Sequence, residues 1–205
     1  MKDMKLLLYG GTFDPPHTGH MNLLRAAVKT VQPDKVIVMP AGTPPHKKAS
    51  TTPGCLRLAM CSCFARVDSS VEISDWEIAR REKSYTIDTV RMLLRQFPGA
   101  QIYLCIGSDM LETFESWREW QQLANSCILV AHCRQTTEKH AFVQKAERLR
   151  QKGVRIVMVD ADIVVQASST LRDQLENGEI SYDVLPDETA RVARRYRLYQ
   201  PKGEK

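Results

Sequence analysis

The 205-residue chain carries 43% hydrophobic and 26% charged residues, enough apolar material for one domain with an ample core. Its net charge of +5 suits anionic small molecules but is too dilute for the basic stripe of a nucleic-acid binder. No apolar run approaches the roughly 20 residues that cross a bilayer, and the N-terminus, with Asp3 and one short leucine run, has no signal-peptide pattern.

In chain order, residues 5–9 predict a buried strand, followed by Gly10-Gly11 read as a turn. The helix that starts near Thr18 carries Leu23, Leu24, Ala27, Val28 and Val31 on one apolar side. Gln32-Pro33-Asp34 ends it, and residues 35–39 predict a second buried strand before a proline-rich loop over 40–48. Thr52 as N-cap and Pro53 at the first helical position predict a helix to about residue 65. A short strand is expected at 71–74, an irregular charged excursion at 76–82, and a helix from the 84–89 segment to Gln96, stopped by Pro98-Gly99. Residues 101–106 predict a fourth strand ending at Gly107-Ser108-Asp109, and a loop or short helices then carry Trp117 and Trp120. Strand 127–131, helix 138–151 and strand 155–159 follow. Ser168-Ser169-Thr170 are expected to cap a helix to Asn177 with Gly178 as its stop, and Pro186 to open a last helix to about Arg197.

This alternation predicts an α/β fold: a doubly wound, mainly parallel sheet covered on both faces, in one domain over 1–205. Ligands of such sheets bind at the carboxyl ends of strands near the topological switch point. The segments 10–20, 40–47, 107–109 and the Ser168 turn all follow strand ends, so they are expected to share one crevice. Cys55, Cys61, Cys63, Cys105, Cys127 and Cys133 lack a repeated Cys-x-x-Cys spacing and read as reduced, mostly buried thiols of a cytoplasmic protein. Arg191, Arg194, Arg195 and Arg197 read as the solvated face of the terminal helix.

The chemistry concentrates in Tyr-Gly-Gly-Thr-Phe-Asp-Pro-Pro-His-Thr-Gly-His, residues 9–20. Gly10 and Gly11 let backbone amides approach a bulky anion, and a helix N-terminus aims its N–H groups at the same space. His17 and His20, three apart, can face one side of the first turn. Arg172 sits in the first turn of its helix, where cations are disfavoured unless an anion intervenes. His46 and Lys47 can add positive charge from the 40–48 loop.

Gly-Gly-Thr-Phe-Asp-Pro-Pro-His-Thr-Gly-His resembles the first signature of the nucleotidyltransferase superfamily, and Ser-Ser-Thr-Leu-Arg, about 150 residues later, resembles the second. Pro-Pro-His-Lys (44–47), Ser-Tyr-Thr-Ile-Asp-Thr (84–89), Ile-Gly-Ser-Asp-Met-Leu (106–111) and Trp117 extend the similarity to the bacterial nicotinate-nucleotide adenylyltransferase family over most of 4–198.

The resemblance implies a Rossmann-like nucleotidyltransferase fold in which segment 168–198 completes an ATP site. It implies that His17, His20, Lys47 and Arg172 are catalytic. Gly10, Gly11, Thr12, Phe13, His46, Ser169 and Thr170 would join them in binding ATP. Thr86, Asp109 and Trp117 would hold nicotinate mononucleotide, by its carboxylate, a ribose hydroxyl and its ring respectively. Mg²⁺ would accompany ATP, with no protein metal site, nucleic-acid partner or membrane implied; oligomeric state is not read. Ala167 stands where the family commonly has Ile. Residues 131–135, Ala-His-Cys-Arg-Gln, replace apolar residues followed by Arg-Pro-Gly, so Arg134 is left out of the site. An aminoacyl-tRNA synthetase relative would need a second, lysine-rich signature and a tRNA-binding domain, and neither is seen.

Overall fold

Strand–helix alternation runs through the computed structural model, which describes residues 4–43, 52–80, 82–133, 139–160 and 167–200. The strands are β1 (Lys5–Gly11), β2 (Lys35–Pro40), β3 (Val71–Ile73), β4 (Gln101–Gly107), β5 (Cys127–His132) and β6 (Ile156–Val159). The helices are α1 (Thr18–Val31), α2 (Gly54–Met60), α3 (Thr86–Gln96), α4 (Ser108–Glu112), α5 (Trp120–Ser126), α6 (Lys139–Gln151), α7 (Ser168–Glu176) and α8 (Asp187–Arg195). The strands form one sheet in the order β3-β2-β1-β4-β5-β6, every neighbouring pair parallel. This is the expected doubly wound, Rossmann-like arrangement, with strand order reversing between β1 and β4.

The leucine run of β1 shows why the sheet is covered twice. Successive strand side chains point to opposite faces. Leu6 and Leu8 enter one core with Ile87, Val90 and Leu93 of α3 and Leu149 of α6. Leu7 and Tyr9 enter the other with Leu24, Ala27 and Val31 of α1. A third cluster joins Met60 of α2, Leu171 and Leu175 of α7, Ala190 and Ala193 of α8, and Tyr199. It fastens the last part of the chain to α2, leaving Arg191, Arg194, Arg195 and Arg197 exposed as expected.

Several boundaries differ from the sequence expectations. Gly10 and Gly11 are not a turn: they are the last two residues of β1, in register with Met39 and Pro40 of β2. The helix expected over 52–65 is α2 followed by a 3₁₀ segment, Cys61–Arg66, and its N-cap is Pro53. Thr52 is buried, its hydroxyl directed at Tyr199 Oη instead of a helix end. The N-cap of α7 is Ala167, without a side-chain cap bond, and Ser168 already lies inside the helix. Among the described residues no helix is long and apolar enough to cross a membrane.

The thiols follow the core. Cys61, Cys63, Cys105 and Cys127 are buried and Cys55 is exposed. Burial pushes Cys63 and Cys127 up to about 12, so almost none of either is thiolate at pH 8. A disulfide reagent added to native protein at that pH should therefore modify Cys55 first, as read by peptide mass spectrometry. Modification of Cys63 or Cys127 at a matching rate would contradict the packing described.

Candidate active site

The carboxyl ends of β1, β2 and β4 open onto a cavity of about 590 Å³, within the usual range for a small-molecule site. Gly10, Gly11, Thr12, Met39 and Ala41 line it from β1 and β2. Tyr85, Thr86 and Ile87 line it from the start of α3, and Asp109, Met110, Trp117 and Arg118 from α4 and the turns after it. The first N–H groups of α3 have no intrahelical acceptor, so this end of the helix offers donors and a positive dipole end.

The turn after β1 is built by Phe13. Its φ of 49° is left-handed, a conformation that costs a residue with a Cβ on the order of 1–2 kcal/mol. Its ring is 2% exposed and meets Tyr9, Phe64 and His20 edge-on at 5.3, 5.0 and 5.2 Å between centroids. Burying a phenylalanine contributes about 1.5–3 kcal/mol, and each aromatic pair about 0.5–1.5 more. Packing therefore outweighs the strain and fixes the turn. Gly11 is needed beneath it, because a Cβ there would lie 2.7 Å from the Phe13 ring.

Four donors from three distant parts of the chain hold the next residues. Arg57 Nη1 donates to the Thr12 carbonyl at 2.8 Å, and Arg172 Nη1 to the Asp14 carbonyl at 2.6 Å. Ser168 Oγ donates to the Pro15 carbonyl at 2.9 Å, and Tyr199 Oη donates to the Asp14 carboxylate. Arg57 is 3% exposed and also reaches the Thr52 and Gly42 carbonyls. Burial lowers its pKa against the pull of Asp14. The Asp14 carboxylate lies 4.0 Å from Arg172 Nη1, so Arg172 finds counter-charge inside the protein.

His17 is the N-cap of α1 and is buried. Its backbone N–H donates to His20 Nδ1 at 3.3 Å, and the two rings lie 3.7 Å apart between centroids. A ring that accepts at Nδ1 carries its neutral-state proton on Nε2, which makes His20 a hydrogen-bond donor at the tip of its ring.

The expected site residues thus fall into two neighbouring groups. Gly10, Gly11, Thr12, Thr86, Asp109 and Trp117 meet around the cavity. Phe13, His17, His20 and Arg172 gather on the turn that leaves it, with Ser169 and Thr170 exposed in the first turn of α7. Gly107 is the N-cap of α4 and Asp109 is the second residue of that helix. His46, Lys47 and Arg134 lie outside the described residues. No group of three or more His, Cys, Asp or Glu side chains suited to a metal ion occurs among the described residues.

Sequence reasoning passed over Glu77. It is 8% exposed, lines the cavity and accepts from Thr89 Oγ1 at 2.6 Å and from the Gly42 backbone N–H. Gly42 must be glycine, since a Cβ would sit 2.1 Å from the Glu77 carbonyl oxygen. These contacts tie the end of β2 to the approach to α3, as does the Ser84 N–H bonded to the Thr43 carbonyl at 2.9 Å. Burial raises the Glu77 carboxyl above its ordinary value. A carboxyl raised on folding stabilises the fold fully below its unfolded pKa and loses that contribution as pH rises through the folded one. Glu77→Gln removes the titration, so its melting temperature minus that of wild type should rise from pH 4 to pH 8. A flat difference would show that Glu77 ionises normally.

A model of the family described as cytidylyltransferase-like matches residues 8–186. "Probable nicotinate-nucleotide adenylyltransferase" from Neisseria gonorrhoeae is 36% identical over 203 residues, covering 96% of this chain and 98% of that protein. The protein of the same name from Clostridium tetani is 28% identical over 198 residues, covering 96% and 99%. Among solved structures, Plasmodium falciparum nicotinic acid mononucleotide adenylyltransferase complexed with NaAD shares the fold. Its TM-score is 0.77 at 18% identity, over 96% of this chain and 97% of that one.

Proposed function

Since this chain belongs to the cytidylyltransferase-like family, among the nicotinate-nucleotide adenylyltransferases, we infer that it transfers the adenylyl group of ATP to nicotinate mononucleotide. The products are nicotinate adenine dinucleotide and pyrophosphate. The observation that carries this reading is the junction at Thr12 of a cavity lined by Thr86, Asp109 and Trp117 with a turn that leads into two histidines and is held by Arg172 of α7.

A phosphate oxygen of the mononucleotide forms the new bond to the α-phosphorus of ATP while the bond to the bridging oxygen of pyrophosphate breaks. The nucleophile is already ionised at neutral pH, so no proton has to be removed. The protein's task is to align two anions and to stabilise charge on the departing pyrophosphate. Backbone N–H groups from Gly10 to Phe13 approach the phosphates, and His17 and His20 donate to oxygens of the phosphate under attack. Ser169, Thr170 and Arg172, with Lys47 and His46, hold the triphosphate, so that segment 168–198 completes the ATP site within one domain. Thr86 and the N-terminus of α3 receive the nicotinate carboxylate, Trp117 stacks on the ring, and Asp109 accepts from a ribose hydroxyl. Mg²⁺ arrives with ATP as part of the substrate, neutralising phosphate charge. A cytoplasmic location fits the free thiols.

Pyrophosphate release should require both nucleotides, in a one-to-one ratio with the dinucleotide formed. Binding of ATP with no release on adding the mononucleotide would contradict this function.

A further inference from the structure

The cavity that receives the mononucleotide is lined by two carboxyl groups, Glu77 and Asp109. An incoming substrate carboxylate meets that charge, whereas the corresponding carboxamide does not. Among the described residues lining the cavity, one side chain is cationic: Arg118. Its guanidinium lies over the Tyr85 ring at 4.6 Å, and Tyr85 is the N-cap of α3, immediately before Thr86. A guanidinium resting on an aromatic face keeps its N–H donors in its own plane, directed outward from the stack.

The neighbouring carboxylate takes up only part of that charge. Arg118 Nε and Glu119 Oε1 form an ion pair at 3.6 Å, longer than a good hydrogen bond. Glu119 instead accepts from both terminal nitrogens of Arg91, at 2.5 and 3.3 Å.

Resting on the adenylyl-transfer reading, we propose that Arg118 is a specificity-determining residue that makes the site prefer the pyridine carboxylate over the carboxamide. It does so by adding a full positive charge beside the α3 N-terminus, in a described lining whose other side chains include no cation. The side chain is half exposed, so the effect is that of a solvent-screened, charge-assisted contact.

The test is kcat/KM for nicotinate mononucleotide and for nicotinamide mononucleotide, each with saturating ATP, in wild type, Arg118→Gln and Arg118→Lys. The Gln variant should lose about tenfold with the acid and less than twofold with the amide, and the Lys variant should keep most of the preference. Raising potassium chloride should narrow the wild-type preference and should not narrow that of Arg118→Gln, in which the repulsion from Glu77 and Asp109 remains to be screened. A Gln variant that keeps the wild-type ratio, or that loses equally with both nucleotides, overturns the inference alone. A wild-type protein inactive with both nucleotides overturns the adenylyl-transfer reading together with it.

Discussion

His20→Ala should lower kcat by about 10²–10³-fold while leaving the melting temperature within a few degrees of wild type. The loss expected for one donor aimed at developing phosphate charge is of that size. His20 is suited to the role because its Nδ1 accepts from the His17 backbone N–H, which leaves Nε2 protonated for the phosphate. Its structural contribution is smaller: the ring is half-buried and adds one of three edge contacts around Phe13. His20→Gln can still place a donor near the phosphate and should recover part of the rate. Steady-state kinetics with matched thermal melts distinguish the outcomes. Near wild-type turnover in His20→Ala would remove the turn from the chemistry, and unfolding of the variant would make its role architectural.

The second large effect is on stability and belongs to Arg57. Arg57→Ala would strip donors from the carbonyls of Thr12, Thr52 and Gly42. Each buried acceptor left unmatched costs roughly 1–3 kcal/mol, less where water can enter. Two of the three sites are only partly buried, so a loss of about 3 kcal/mol is expected. Because Thr12 is the junction of the two halves of the site, a shift there should also reduce kcat about tenfold. Arg57→Lys keeps the charge but cannot reach three carbonyls from one ammonium, so it should fall between. Urea unfolding monitored by circular dichroism gives the first number and kinetics the second. A stability change below about 0.5 kcal/mol, the range of ordinary surface substitutions, would mean that the guanidinium does not hold these loops.

What could be read in advance divides along physical lines. Leu6-Leu7-Leu8 and the 102–106 run are buried on both faces of a parallel sheet, so each is almost wholly apolar and visible as a strand. His17, His20 and Arg172 stand in short spacings that a helix start makes meaningful. The shape of the turn between them was not legible. Two glycines suggested a bend, yet the bend is made by Phe13, whose left-handed conformation depends on rings from Tyr9 and Phe64. The first-turn position of Arg172 marks it as a cation suited to an external anion, but gives no sign of its partner within the chain, Asp14, 158 positions earlier. Tyr199 and Asp14 lie 185 positions apart, and no local pattern marks either as half of a pair. Glu77 sits in an irregular stretch where a charge is unremarkable until Gly42 and Thr89 close over it. Local periodicity thus reports elements, while the clamp on the turn after β1 exists only after the chain has folded.

Direct transfer of an adenylyl group between two nucleotides held side by side is what the proposed function requires. It is tested by giving the purified protein nicotinate mononucleotide with ATP made chiral by sulfur at the α-phosphorus, then determining the configuration of the product. Direct transfer gives a thio-substituted nicotinate adenine dinucleotide whose configuration at that phosphorus is inverted. No dinucleotide, or one with configuration retained as two successive displacements through a covalent enzyme intermediate would leave it, would rule direct transfer out.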